Sequence, residues 1–405
     1  MNAGAATHPI YDPPLSRSPP PKCRRVLAIP NLHSATGTIK SVSSSSFACV
    51  GNADISEPDL PEAPARNPPS PRHHIDNESL LHPRCRVWCD IAYSLHPAME
   101  PGTNACGQVN LGNTCYINAL VAALSYCAPV QQYCVEHSLI CSISDMSHCP
   151  ACALAADSSW LHTSRVTNLA PSLATNRHRL HVQFANNRQH DAHAAFCSLA
   201  DVCHDVDWNA FKSHSNYQLR NEATLYTTPW WQLFLCVVRT TVSCSHCAST
   251  MTKHEPLRGL SVELVANVAR DLQPLLLQFN SEVPLPDYKC DRCNLKDTSK
   301  KTTEILTSPP ILLIHFKRWF HDEYLVENKN KDHVTLDFSL PWHASIMYTL
   351  TAVVVHEGED NAGHYVAFVR QQNGTWFRYD DSHPPEIVSC ETVGLQQAYL
   401  AFYVR

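Results

Sequence analysis

Apolar residues fall into runs whose spacing changes character along the chain. CYINALVAALSYC (115–127) is almost uninterrupted and rich in Ala and Leu, which predicts a helix. HDAHAAFCSLADVC (190–203) reads as a second helix. After about residue 226 the runs become short and rich in Val, Phe, Tyr and Ile: LFLCVVRTTVSC, ILLIHFKRW, YTLTAVVVHEG, HYVAFVRQ and AYLAFYVR. These predict strands, separated by turn signals such as Asn373-Gly374. Helices first and strands afterwards indicate an α+β fold rather than alternating βαβ units.

Residues 1–104 lack this patterning. They hold more than half of the 29 prolines, a serine run over Ser43–Ser46 and the triplet Pro19-Pro20-Pro21. Such a segment buries too little apolar surface to offset its ordering entropy, so a mostly disordered region is expected ahead of a folded domain over 105–405. Lys22-Cys23-Arg24-Arg25 reads as a solvated charge cluster, with a localisation signal as the alternative. His82, Cys85 and Cys89 read as incidental, with metal binding as the alternative.

Composition narrows the class. A net charge of -6 supplies no field suited to nucleic acid or an anionic membrane, so neither is expected as a partner. The N-terminus has no apolar signal core, and no stretch approaches the roughly 18 apolar residues of a membrane span. A cytoplasmic or nuclear location is expected. In that setting 19 cysteines point to metal ligands and a reactive thiol rather than disulfides.

In QVNLGNTCYINAL (108–120) a loop runs directly into the first apolar helix, placing Cys115 at its start. Unpaired N–H groups and the helix dipole stabilise a thiolate there. The ordinary alternative is a small buried hydrophobe. The N–H of Cys115 and the side-chain amide of Asn110 are candidate oxyanion donors, with a turn asparagine as the alternative reading of Asn110. Near the other end, His364 opens the run HYVAFVR, and the turn at Asn373-Gly374 leads into WFRYDD. Two antiparallel strands would return Asp380 beside His364, where a carboxylate can orient an imidazole base. Asp381 is placed to support the site or the oxyanion.

NLGNTCYINAL resembles the cysteine box of the ubiquitin-specific protease family, and GHYVAFVRQQNGTWFRYDDS resembles its histidine box. RQHDAH (188–193), PPILLIHFKRW (309–319) and AYLAFYVR are similar to further motifs of that family, in the same order over about 300 residues. The resemblance implies a papain-like cysteine protease fold with thumb (about 105–225), zinc-binding fingers (about 226–300) and palm (about 301–405). It implies hydrolysis after the C-terminal glycine of ubiquitin, with Cys115 as nucleophile, His364 as base, Asp380 as third member and Asn110 as oxyanion donor. Asp191, Tyr365 and His193 become candidates for lining the channel of ubiquitin's tail, with helix capping an equal reading of Asp191. Departures from the family pattern are Gln189-His190 for paired glutamines, Ala194-Ala195-Phe196 for Glu-Phe-Leu, and the absent glutamine after Cys115. A catalytically weak ubiquitin-binding or scaffold protein on the same fold, an enzyme for a ubiquitin-like modifier and a zinc-ribbon interaction module are the competing classes.

Two CxxC pairs, Cys244/Cys247 and Cys290/Cys293, can close a structural Zn2+ site, with the two turns at the tips of extended hairpins. The fingers of the resembled family carry such a site. A second zinc set is His137, Cys141, Cys149 and Cys152, with His148 as a competing ligand and free loop cysteines as the alternative.

Overall fold

The chain leaves a left-handed loop at Gly112 (φ 87°) and Asn113 (φ 55°) and enters helix α1 (Cys115–Ser125). Glycine adopts that conformation freely and asparagine tolerates it. All eleven residues of α1 are buried, as its predominantly apolar sequence requires. Helix α2 (Ala128–Ile140) follows with a proline in its first turn, and α3 (Pro150–Thr163) begins on one. Helix α4 (Ala192–His214) runs further than the predicted 190–203. Asp191 caps it, its Oδ1 accepting from the Ala194 N–H at 2.6 Å.

This computed structural model describes residues 106–141, 143, 148–163, 170–214, 228–264, 271–321, 327–342, 346–359 and 362–405. They all lie in one unit of the chain, Pro71–Arg405. The expectations for residues 1–104, including Lys22–Arg25, His82, Cys85 and Cys89, fall outside the described residues.

The strands form two main sheets. A four-stranded sheet has the order β2 (Thr250–Leu257), β1 (Cys236–Cys244), β5 (Ser299–Ile305), β4 (Glu282–Pro284). An eight-stranded sheet runs β13 (Glu386–Val388), β12 (Trp376–Tyr379), β11 (Ala362–Arg370), β10 (Ile346–Glu359), β14 (Ala398–Val404), β6 (Ile311–Lys317), β3 (Leu260–Glu263), and β9 (Ser339–Trp342) joins β10. A hairpin of β7 (Trp319–His321) and β8 (Glu327–Lys329) stands beside it. The segment expected as fingers, 226–300, is not laid down continuously. Strand β3 leaves the small sheet and pairs in parallel with β6.

The large sheet is buried on both faces, which explains its near-continuous apolar strands. Ala352, Val354, Ala367 and Val369 pack with the helices, while Val353, Val355, Val366 and Phe368 pack into a second cluster on the other face. Helix α1 shares the first cluster with Tyr365, Ala367 and Val369 of β11, so the two segments that carry Cys115 and His364 are held by one core.

Candidate active site

Close backbone approach sets the site before any side chain acts. A Cβ on Gly107 would sit 2.1 Å from the Asp381 carbonyl oxygen and 2.5 Å from that of His383. Only glycine fits, and the adjacent Gln108 N–H donates to the Asp381 carbonyl at 2.6 Å. The segment leading to Cys115 is thereby pinned to the loop that follows β12. On the other side, a Cβ on Gly363 would meet the buried His356 ring at 1.9 Å, so Gly363 lets β11 start against β10.

His364 and Asp380 share a hydrogen bond of 2.7 Å between Nε2 and Oδ1. The His364 side chain also hydrogen-bonds that of Cys115. That hydrogen bond, more than the opposing effect of burial and with help from Asp380, raises the imidazole to about 9. Burial works against the Asp380 carboxylate, but hydrogen bonds from His364 and Arg378 outweigh it and hold its pKa below the ordinary value. At neutral pH the arrangement holds an imidazolium between a sulfur and a carboxylate.

Asp381 takes a different job. Its backbone is left-handed (φ 46°). Its Oδ2 accepts from Asn110 Nδ2 at 2.7 Å and its Oδ1 from Asn118 Nδ2 at 2.8 Å. Asn110 Oδ1 in turn accepts from the Thr114 N–H at 3.0 Å. The Asn110 amide is thus fixed at both ends. Asn118 escapes notice in the sequence because it sits in an apolar helix. A polar residue one turn past Cys115 in an otherwise apolar run is the signal it leaves.

Beside this site lies a cleft of about 400 Å³ lined by residues that include Gln189, Asp191, His315, Trp319, Tyr365 and Tyr399. Asp191 is both a cap and a lining residue: Oδ2 accepts from the hydroxyls of Tyr399 and, at 3.5 Å, Tyr365. His193 stacks on His315 at 3.8 Å. Gln189 donates to the Gly363 carbonyl at 2.5 Å, tying this loop to the His364 strand. His190, which replaces the second glutamine, instead bonds Asn186 Oδ1 at 2.8 Å and packs on Tyr116 and Phe184. Ala195 and Phe196 are fully buried, with Phe196 edge-on to Phe234 at 5.0 Å, so that departure is absorbed in packing. His315, Trp319 and Tyr399 carry no mark in the sequence beyond their strand runs; His315 and Trp319 are four residues apart, on β6 and β7, and only the folded chain brings them to one cleft.

Two sets of potential ligands gather: Cys244, Cys247, Cys290 and Cys293, and His137, Cys141, Cys149 and Cys152, each with ligand atoms within 4.8 Å of one another. Each set can hold a metal ion. The first joins the tip of the β1–β2 hairpin to the loop between β4 and β5. Ala248 (φ 55°) and Asn294 (φ 58°) follow the second cysteine of each pair and turn the chain there. Hydrogen bonds, first from Thr298 and then from the N–H groups of Cys247 and His246, lower Cys244 to about 5. In the second set His137, not His148, is the histidine brought in. Its Nε2 lies 3.2 Å from Cys149 Sγ and its Nδ1 3.2 Å from Asp207 Oδ1.

A family model described as ubiquitin carboxyl-terminal hydrolase matches residues 106–403. The chain belongs to the ubiquitin carboxyl-terminal hydrolase family. Among similar proteins, ubiquitin carboxyl-terminal hydrolase 23 of Arabidopsis thaliana is 31% identical over 316 residues, covering 74% of this chain and 35% of that protein. Ubiquitin carboxyl-terminal hydrolase 17-like protein B of Mus musculus is 28% identical, covering 85% of this chain and 73% of that protein. The chain therefore spans about a third of the Arabidopsis protein's length. The structure of the SAGA Ubp8/Sgf11/Sus1/Sgf73 DUB module bound to ubiquitin aldehyde superposes with a TM-score of 0.64 at 23% identity, covering 79% of this chain and 73% of that one. That likeness shows the fold: helices as thumb, the large sheet as palm and the small sheet as fingers.

Proposed function

We propose that this chain is a thiol-dependent deubiquitinase, hydrolysing isopeptide or peptide bonds after the C-terminal glycine of ubiquitin. The observation that carries this reading is the Cys115–His364–Asp380 line on a family fold, beside a cleft lined in part by His364's neighbour Tyr365. Relatives named as ubiquitin hydrolases and a similar fold bound to ubiquitin aldehyde support the substrate class. The catalytic domain is taken as 105–405, with thumb to about 225, fingers to about 300 and palm beyond.

In this reading the Cys115 thiolate attacks the carbonyl of the terminal glycine. The N–H of Cys115 and the side-chain amide of Asn110 receive the developing oxyanion. His364 gives its proton to the departing amine, leaving a thioester. A water then attacks that thioester while His364 takes a proton from it, and ubiquitin leaves with a free carboxylate. Asp380 keeps the ring oriented through both steps, and Asp381 acts by holding Asn110. Of the residues lining the cleft, Asp191 is the carboxylate, and it suits the arginine of a Leu-Arg-Gly-Gly tail.

Hydrolysis of ubiquitin bearing a C-terminal fluorogenic amide tests the activity, and its pH profile tests the charge state. His364 is raised by its partners, so the imidazolium is present at neutral pH and is lost as pH rises through about 9. By the same sign, the stability this pair contributes is complete below the ordinary histidine value and disappears through about 9. kcat/KM is expected to fall on an alkaline limb near pH 9. A limb near 6.5 would show that the ring is not held by its partners in the free enzyme.

Both ligand sets are read as structural zinc sites. Four thiolates about 2.3 Å from zinc define a tetrahedron with edges of about 3.8 Å. The Cys244–Cys293 and Cys247–Cys290 sulfurs are 3.8 and 3.7 Å apart, which fits. A site closed by four protein ligands leaves no position for a catalytic water. At the second set, Asp207 fixes the His137 tautomer that presents Nε2 inward, the usual companion of a ligating histidine. Metal analysis is expected to find two zinc ions per chain, one of them lost in Cys149→Ser. Asp207→Ala is expected to weaken that site about 10- to 100-fold. One zinc per chain, unchanged in Cys149→Ser, would remove the second site. Chelation is expected to lower the melting temperature, and an unchanged melting temperature would contradict a structural role.

A further inference from the structure

Asp380 has a second partner that the reaction scheme leaves unused. Its Oδ1 meets His364, while its Oδ2 accepts from Arg378 Nη1 at 2.8 Å. Arg378 lies two residues earlier, on β12, and its Nη2 reaches both oxygens of Glu357 at 3.3 Å. Glu357 is on β10, directly across the ladder from His364. The carboxylate that faces the imidazole is therefore gripped from behind by a guanidinium, and that guanidinium is gripped by the strand that pairs with the histidine. A fork of fixed N–H groups holds two carboxylates in one plane far better than a rotatable ammonium does.

Resting on the hydrolase reading above, we propose that Arg378, clamped by Glu357, is the positioning residue that fixes the Asp380 carboxylate and through it the His364 ring. The guanidinium of Arg378 bonds Asp380 and Glu357. Its effect passes through Asp380.

The sign of a pH shift separates this role from simple proximity of charge. His364 is faced by Cys115 from α1, by Glu357 and His356 from β10, and by Asp380 and Asp381 after β12. Asp380 is faced in addition by Arg378 and by the exposed His383, whose Nδ1 is 3.8 Å from Oδ1. If Arg378 acted only as a nearby cation, its removal would relieve repulsion and move the alkaline limb of kcat/KM upward. If it positions Asp380, its removal frees the carboxylate to rotate away, and His364 loses a partner that favours its charged form. The limb then moves downward.

The experiment is the pH profile of the zinc-loaded full chain with ubiquitin fluorogenic amide, for wild type, Arg378→Met, Arg378→Lys and Glu357→Gln. Arg378→Met is expected to lower kcat about 10- to 100-fold, the scale of a small misplacement in a catalytic group, with KM little changed. Its alkaline limb moves below that of wild type. Arg378→Lys recovers part of both, and Glu357→Gln shifts both in the same direction by less. An alkaline limb that stays or rises in the Met and Gln variants overturns the proposal, as does an unchanged kcat. Inactive wild type would instead overturn the hydrolase reading itself, so the two failures are distinct.

Discussion

Cys115→Ala is expected to lower turnover of a ubiquitin amide by about 10⁵-fold or more, the scale on which nucleophile removal acts in other covalent hydrolases. Binding of ubiquitin should survive. The cleft is built by Asp191, His315, Tyr365 and Tyr399, whose hydrogen bonds to one another do not involve the sulfur. Cys115 is almost wholly buried at the start of a fully buried helix, so trimming one atom leaves α1 in place. The same change should drop the pKa of His364, since the sulfur is the largest influence raising it. Turnover and ubiquitin affinity measured together check this. Turnover near wild type would move the nucleophile elsewhere, and lost binding with lost turnover would show that the helix had shifted.

The second large effect is a contrast between neighbours. Asp380→Ala is expected to cost about 10³- to 10⁴-fold in kcat, as loss of the tautomer-fixing carboxylate does in comparable triads, and to move the alkaline limb down from about 9. Asp381→Ala removes the acceptor for both Asn110 and Asn118 and leaves the buried Asn118 amide without its shortest bond. It is expected to cost about 10²- to 10³-fold, the size of a lost oxyanion donor, with the alkaline limb moved down by less than in Asp380→Ala, because Asp381 is the smaller influence on His364. Shifts of equal size in the two variants would show that the carboxylates share one role.

Much of this architecture is legible in the chain because its local and global signals agree. Strands buried on both faces announce themselves as apolar runs, and the turn at Asn373-Gly374 fixes the hairpin that carries His364 and Asp380. The CxxC spacing places paired sulfurs on single turns, and the hairpin tips follow from the distance between the pairs. What stays hidden depends on contacts between remote segments. Gly107 looks like any loop glycine until the Asp381–His383 backbone is laid against it. Asn118 and Asp207 look like polar residues in helices until their partners 263 and 70 residues away arrive. The pairing of β3 with β6 in parallel is equally non-local, since four short residues carry no mark of which sheet they will join. The departures at His190 and Ala194–Phe196 prove to be packing solutions that keep the Gln189 contact with Gly363.

The reading proposed for this chain requires a thiol at Cys115 that acts on the C-terminus of ubiquitin. Ubiquitin carrying a C-terminal electrophile, incubated with wild type and with Cys115→Ala and read by intact mass, tests it most directly. One covalent adduct is expected on wild type and none on the variant. An adduct on both would contradict Cys115 as the nucleophile, and no adduct on folded, zinc-loaded wild type would contradict ubiquitin as the substrate.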